Sequence, residues 1–468
     1  MNKEFIRPLI LVALTAVLVG VLAMIIPAWD NGIVPIKKLN WFEHLTPKHE
    51  VANADTIIAG EAATIESDLI PIKPFLRKFN DPETGLRIAY FGDSIIEGDL
   101  ITAKLRQDLQ ATHGGSGVGL VPITSIVSGF RQTIKHSFAK NWETLSFMSN
   151  TNSAASLGFT GYTFIPRNYY VAEKAIEPMK LDSLAVMDSS LVAKPQATKQ
   201  STRYYVSNNP WVEYAASGIV GGAPTFSRIR LFYSMASDSS FVRVSLDGAA
   251  MQKRSLTAGS GVQVLDLSPT APIKKLKLEF SAYDPIHVYG VSFDQPKGAY
   301  VDNFPIRGYS GMYFQRIHNE VLKGFHRYLN YDLIVLQYGE NVSNPKITDY
   351  SYYERGMKLT IKHIQDALPG VPILLVSAHD RSIKQNGGYH TSPDIPYLVK
   401  TQSKVAQEMK TGFWNLFAAM GGKDSMPTYV ANKPAWAGKD YTHFTRSGAE
   451  HVATMLLAYL KGKTSETL

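Results

Sequence analysis

The apolar positions of this chain fall into two patterns, and the boundary between them outlines its organisation. Leu86-Arg87-Ile88-Ala89-Tyr90-Phe91 is a short run rich in β-branched and aromatic residues, which predicts a buried strand. Leu100 to Leu109 then places Leu100, Ile101, Leu105 and Leu109 at helical spacing, with Lys104, Arg106 and Gln107 elsewhere on the surface. The same alternation returns past residue 300. Asp332 to Asn341 is a buried-type strand running into a polar loop, Tyr350 to Leu368 a helix, and Val371 to Ala378 a second apolar strand. Tyr397 to Met409 reads as a helix, Gly412 to Leu416 as a short strand, and Ser447 to Leu460 as a final helix. Strands alternating with helices imply parallel βαβ units. Between about 135 and 300 the helical period mostly stops. Phe226 to Met235, Phe241 to Leu246, Val262 to Leu267, Ile273 to Phe280 and Ile286 to Phe293 are strand-like, with Asp247-Gly248 and Ala258 to Gly261 as turns. That spacing predicts a β-sandwich or jelly roll. The β-rich stretch therefore interrupts one α/β domain, whose parts are 81–134 and 301–468, as an insertion over 135–300.

The N-terminus differs from both patterns. After Lys3 and Arg7, Pro8 to Pro27 is an uncharged, mostly apolar run, long enough to span a bilayer as a helix, with no convincing small-residue cleavage site after it. Residues 1–29 are thus expected to form a signal anchor with the remainder outside the cytoplasm, in the inner membrane facing the periplasm. Residues 30–80, interrupted by Pro35, Pro47, Pro71 and Pro74, read as a tether of which some part packs on the body. With 468 residues, 45% hydrophobic and 19% charged, most of the chain should fold. The net charge of +8 suits an anionic wall polymer or membrane surface, and no long Lys/Arg run suggests nucleic acid. The absence of cysteine excludes thiol nucleophiles, thiolate metal sites and disulfides.

Candidate chemistry begins where the first strand ends, at Gly92-Asp93-Ser94. A serine at a strand-to-helix turn stands at the carboxyl edge of a sheet, the usual ligand position in open α/β folds. The alternative is a plain loop in which Asp93 and Ser94 cap the helix. The glycines of Gly114-Gly115-Ser116-Gly117-Val118-Gly119 follow a helix and lack the Gly-Lys-Ser/Thr ending of a phosphate loop, so they read as a helix cap and tight turn. A serine hydroxyl needs a base, usually a histidine oriented by a carboxylate. Asp440-Tyr441-Thr442-His443 lies just before the last helix and fits; Asp284-Pro285-Ile286-His287 repeats the spacing inside the β-rich insertion, where a structural role is expected. Donors for an oxyanion are available in the Asn341 side chain and the backbone N–H of Gly308, with Gly311 as the alternative glycine.

Taken in order, Gly-Asp-Ser, Gly308, Gly339-Glu340-Asn341 and Asp-x-x-His follow the four blocks of the SGNH (GDSL-type) hydrolases, and over about 80–130 and 300–462 the chain resembles that superfamily. The resemblance implies a flavodoxin-like three-layer α/β/α fold, Ser94 as nucleophile, His443 as base oriented by Asp440, and an oxyanion hole from the Ser94 and Gly308 N–H groups with Asn341. It implies neither metal nor organic cofactor. The third block departs from the usual small residue followed by Asn-Asp, because here it reads Glu340-Asn341-Val342. Within the superfamily the chain is similar to the bacterial peptidoglycan O-acetylesterases, which carry an inserted module similar to a carbohydrate-binding one. That likeness rests on Gly114 to Gly119, Val301-Asp302-Asn303-Phe304, Arg307 to Gly311 and Ala419 to Gly422. It implies removal of O-acetyl groups from an extracytoplasmic polysaccharide. Two alternatives are an O-acetyltransferase using the same triad beside a membrane acyl-transporting partner, and a non-catalytic glycan-binding protein. Trp211 and Tyr214 are the first candidates for a glycan-stacking surface on the insertion.

Overall fold

The computed structural model describes residues 68–149, 156–175, 199–219 and 221–462. The Pro8–Pro27 run lies outside them, and among the described residues no helix is long and apolar enough to cross a membrane.

Five parallel strands form the centre of the α/β body. In chain order they are Leu86–Gly92, Ala299–Pro305, Leu333–Gln337, Ile373–Val376 and Gly412–Trp414, and in the sheet they lie 2-1-3-4-5. This is the flavodoxin-like order, with its reversal between the first and third strands. Apart from Ala299–Pro305, the strands read as mostly apolar runs because both sheet faces are covered. Ile88, Tyr90, Val335 and Val376 face one core, which the Lys73–Phe79, Leu100–His113 and Arg446–Leu460 helices close. Ala89, Phe91, Leu336 and Leu375 face the other, under Asn319–Leu329, Ser351–Ala367 and Ile395–Met409. Each fully buried aliphatic or phenyl side chain contributes about 1.5–3 kcal/mol to this arrangement. Phe75 and Phe79 belong to the first core, so the end of the stretch expected as tether is part of the body. Ala299–Pro305 was not expected as a strand, since Asp302 and Asn303 interrupt its apolar run. Both are buried, paired with Arg87 and with the Ile96 carbonyl respectively.

The insertion is a sandwich of two antiparallel sheets, one of five strands and one of six, with Phe164, Val212, Tyr214, Tyr233, Val244, Leu278 and Phe293 among the residues between them. Gly119–Val121, ahead of residue 135, already pairs with the module strand His287–Asp294. Tyr214 is fully buried, stacked on His136 and bonded to the Pro122 carbonyl. It is therefore core, and does not belong to an exposed glycan surface. Trp211 is half-buried beneath Lys277.

Module and body share one core. Phe159 of the module stacks on Tyr331 at 4.8 Å between centroids and meets Phe91 at 5.5 Å, while Phe232 stacks on Phe325 at 5.1 Å. Arg87 crosses the same seam, giving Nε and Nη2 to Asp302 at 2.8 and 3.0 Å and Nη1 to Asp294 of the module at 2.8 Å. Removing one member of a buried ion network leaves the others uncompensated. Arg87→Met should accordingly cost about 3–5 kcal/mol of unfolding free energy by denaturant titration. A cost below about 1 kcal/mol would show the seam to be held by its aromatic packing alone.

Candidate active site

Register sets the site. Gly92 lies opposite Pro305 on one side and Gln337 on the other, and Gln337 lies opposite Val376. The chain leaving each strand at this level therefore emerges at one edge: Asp93-Ser94, Ile306-Arg307-Gly308, Gly339-Glu340-Asn341 and Ser377-Ala378-His379. The Ile306 N–H donates to the Gly92 carbonyl at 2.9 Å, which extends the alignment one residue beyond the first pair of strands.

Ser94 opens a 3₁₀ turn, Ser94–Asp99, kinked at Glu97 and Gly98 before the Leu100–His113 helix starts. Asp93 caps that turn through the Ile95 N–H at 3.0 Å, so its carboxylate faces inward and the next residue faces the cleft. Ser94 Oγ lies 3.0 Å from His443 Nε2, and His443 Nδ1 lies 2.7 Å from Asp440 Oδ2. Since Ser94 and His443 are 349 residues apart, only the fold joins them. Asp440 also accepts the Thr442 and His443 N–H groups on Oδ1. Partial burial works against its charge, but the His443 ring and these two N–H groups hold the carboxyl below the usual aspartate range. The His443 and Asp440 side chains are 49% and 50% exposed, so the triad opens onto the surface.

The cleft of about 440 Å³ is lined by Ser94, Phe130, Arg307, Gly308, Asn341 and His443, among others. Gly308 has φ +78°, and its N–H has no acceptor among the described residues; a Cβ there would meet only the tip of Met148. Gly311 is turned into the core, where a Cβ would stand 2.5 Å from the Tyr338 ring, and its carbonyl accepts the Thr360 hydroxyl. Of the two glycines, the one in the cleft is Gly308. Asn341 Nδ2 donates to Asp93 Oδ2 at 2.9 Å and to the Tyr309 carbonyl at 3.1 Å, so both of its amide hydrogens have acceptors within the protein. Burial pushes the Asp93 carboxyl up to about 7, helped by the Glu340 charge and opposed by the Ile95 N–H, His379 and Asn341.

Several groups here escape sequence reasoning. Arg307 grips the buried Glu97 carboxylate at the cleft lip through Nε and Nη2. Phe130, 54% exposed, comes from the connection leading into the module. His379 lies behind the triad, and its one sequence signal is a titratable residue at the end of an apolar strand. The second Asp-x-x-His behaves otherwise. Asp284 accepts from the Ser240 hydroxyl at 3.0 Å and from the Ile286 N–H, and His287 sits in a module strand opposite Ser234. Among the described residues no group of three or more His, Asp or Glu side chains forms a metal-holding cluster.

The five-stranded 2-1-3-4-5 sheet, the serine after its first strand and the Asp-x-x-His loop before its last helix are arranged as the resemblance to SGNH-type hydrolases implies. A scan against protein-family models and a search of curated proteins return no match. Among solved structures, a peptidoglycan O-acetylesterase aligns with a TM-score of 0.60 at 23% identity, over 83% of this chain and 95% of its own, and so shares the fold, insertion included. An acetyl xylan esterase (20% identity, 34% of this chain and 80% of its own, TM-score 0.27) is superimposed far more loosely. So is a family two carbohydrate esterase from Cellvibrio japonicus (10% identity, 55% and 89%, TM-score 0.24).

The two Asp-x-x-His copies make a direct comparison. Asp284→Asn with His287→Ala should leave turnover of a small acetyl ester within about twofold of wild type, whereas His443→Ala should abolish it. Equal losses in proteins of intact fold would move the base into the module.

Proposed function

We propose that this chain is a serine esterase that removes O-acetyl groups from an extracytoplasmic polysaccharide such as peptidoglycan, through an acetyl-enzyme on Ser94. The observation that carries this reading is the Ser94–His443–Asp440 chain, at 3.0 and 2.7 Å, in one cleft with Gly308 and Asn341. Ser94 Oγ attacks the acetyl carbonyl as His443 Nε2 takes its proton, and Asp440 fixes the tautomer and stabilises the imidazolium. The Ser94 and Gly308 N–H groups and the Asn341 amide face the oxygen on which negative charge develops. Collapse of the tetrahedral intermediate releases the sugar oxygen, which takes the proton from His443, and leaves acetyl-Ser94. Water, deprotonated by His443, then attacks the ester; the Ser94 oxygen leaves and takes that proton back from His443, freeing acetate and restoring the serine. No step calls for a metal or organic cofactor. The open cleft suits a polymer whose acetylated hydroxyl must reach Ser94 without the chain end entering. The apolar run Pro8–Pro27 supports anchorage in the inner membrane with this body in the periplasm.

The test is full-length protein in detergent, given a small acetyl ester and an acetylated glycan, with free acetate and acetylated acceptor both measured. Ser94→Ala and His443→Ala should each lower turnover by about 10⁴-fold or more, because the triad acts as a unit. Activity retained in folded Ser94→Ala would end the serine-enzyme reading. Acetate released in step with ester consumed supports hydrolysis. Acetylated sugar in its place makes the chain a transferase with the same triad, working beside a membrane acyl-transporting partner.

Phe130 is the exposed aromatic of the cleft wall, and with the buried Tyr214 set aside it joins the half-buried Trp211 as a surface offered to the glycan. Remote contacts serve positioning, so a truncated substrate does not use them. Phe130→Ala should spare the small ester and weaken glycan deacetylation about tenfold, equivalent to ~1.4 kcal/mol of transition-state binding. Equal loss on both substrates would assign Phe130 to the support of Ser94.

A further inference from the structure

Beneath the triad lies a pair of buried charges that the proposed chemistry does not use. Glu340 directly precedes Asn341, and His379 follows the Ile373–Val376 strand; their side chains are 8% and 1% exposed. His379 Nδ1 stands 3.1 Å from Glu340 Oε1. The contact has ion-pair geometry, and among the described residues no hydrogen bond reaches either Glu340 oxygen. On the other side of the ring, His379 Nε2 lies 2.7 Å from the carbonyl oxygen of Thr442. A carbonyl can only accept, so Nε2 carries a proton. A neutral ring would then turn the bare Nδ1 lone pair towards a buried carboxylate. The arrangement is satisfied when the imidazole is doubly protonated, its charge balancing Glu340.

Thr442 sits between Asp440 and His443. Its neighbour Tyr441 has φ +54°, in the left-handed region that non-glycine residues rarely occupy without outside support. Support is present on every side. The Ser382 N–H donates to the Tyr441 carbonyl at 3.1 Å, Tyr389 stacks on the Tyr441 ring at 3.6 Å, and the Gly438 N–H donates to the His443 carbonyl at 2.8 Å. His379 is the only one of these contacts that also engages the Asn341 loop.

We propose that the Glu340–His379 pair is the positioning element of this site: it ties the loop of Asn341 to the loop of Asp440 and His443 through the Thr442 carbonyl, and so sets the imidazole on Ser94. The proposal rests on the reading of Ser94 as nucleophile, and it gives the atypical Glu340 of the third block a task.

The pair also brings a pH dependence. Burial disfavours the His379 charge, yet Glu340 and the Thr442 carbonyl, with Asp93 further off, outweigh it and raise the histidine above its usual pKa. Asp380 also faces the ring electrostatically, and the Phe444 ring packs against it. A raised folded-state pKa means that the pair is complete below the ordinary histidine pKa and is lost as pH rises through the folded value. Catalysis should therefore fall at alkaline pH as the Nδ1 proton leaves.

The experiment compares His379→Ala, His379→Gln and the double variant Glu340→Gln/His379→Gln with wild type. It measures kcat and KM on a small acetyl ester against pH, thermal unfolding, and the His443 Nδ1–H proton resonance. His379→Ala should lower kcat about 10- to 100-fold with KM within about twofold, the size of effect that misplacement of a reacting group produces. The double variant keeps a donor for Thr442 without a buried charge, so it should recover part of that kcat and lose the alkaline fall. An unchanged kcat and alkaline limb in folded His379→Ala would overturn the proposal. So would an activity loss that only follows the unfolded fraction, since the pair would then serve stability alone. If wild type has no esterase turnover but its His443 resonance shifts in His379→Ala and returns in the double variant, positioning stands and the esterase reading fails.

Discussion

Everything at the cleft depends on one level of hydrogen-bonded register, the line through Pro305, Gly92, Gln337 and Val376. Four strands end on that line; Ser94, Gly308 and Asn341 follow three of them within four residues, and His379 follows the fourth. A slip of one residue would turn every side chain of a strand to the opposite face. With both faces buried, such a slip would exchange the residues of two different cores, so the register of the α/β body is held by the packing of Ile88, Tyr90, Ala89 and Phe91 together. The Tyr90 hydroxyl adds a direct tie across the switch point, donating to Gln337 Oε1 at 2.7 Å. Precision at Ser94 thus originates in apolar burial beneath it, before any polar contact in the cleft is made.

The insertion respects that constraint. It leaves the body after the Leu100–His113 helix and returns as the Ala299–Pro305 strand, one of the two neighbours of the Ser94 strand. A module entering here can displace the Gly308 loop, which follows the returning strand, unless its seam is rigid. The seam is built accordingly, with stacked Phe159–Tyr331 and Phe232–Phe325 pairs around the buried Arg87–Asp302–Asp294 network. Aromatic pairs supply area and the charges supply direction, since a bidentate arginine accepts only one alignment of its carboxylate.

How much of this could be read beforehand depends on where the determining contacts lie along the chain. The four apolar strands were legible because each is a continuous run whose neighbours are turns. The triad was legible because Gly-Asp-Ser and Asp-x-x-His are local spacings with a chemical meaning. Gly308 and Gly311 could not be separated in the sequence, since both have positive φ and differ only in facing Met148 or Tyr338. Tyr214 was misassigned because strand alternation shows which residues share a face and not which face of a sandwich is inner. Asp302 hid a strand for a related reason: its partners Arg87 and Tyr331 are 215 and 29 residues away. Glu340 stood out as a departure, but its compensation by His379 lies in the loop after the next strand of the sheet.

The half-exposed triad makes that compensation intelligible. Enzymes that bury their catalytic groups can hold them by surrounding contacts and raise electrostatic effects by excluding water. On the proposed reading, a cleft open to a polymer gives up much of both, because His443 and Asp440 each retain about half of their side-chain surface to solvent. Orientation must then come from behind. The Asp440–His443 loop is held through its backbone carbonyls and N–H groups, by Ser382, His379 and Gly438, and these bonds leave the reactive ring edge free. The charges that secure the loop, Glu340 and His379, are buried on the far side, where water does not screen them. Openness towards the cleft and rigidity towards the core are in this way assigned to opposite faces of one four-residue loop.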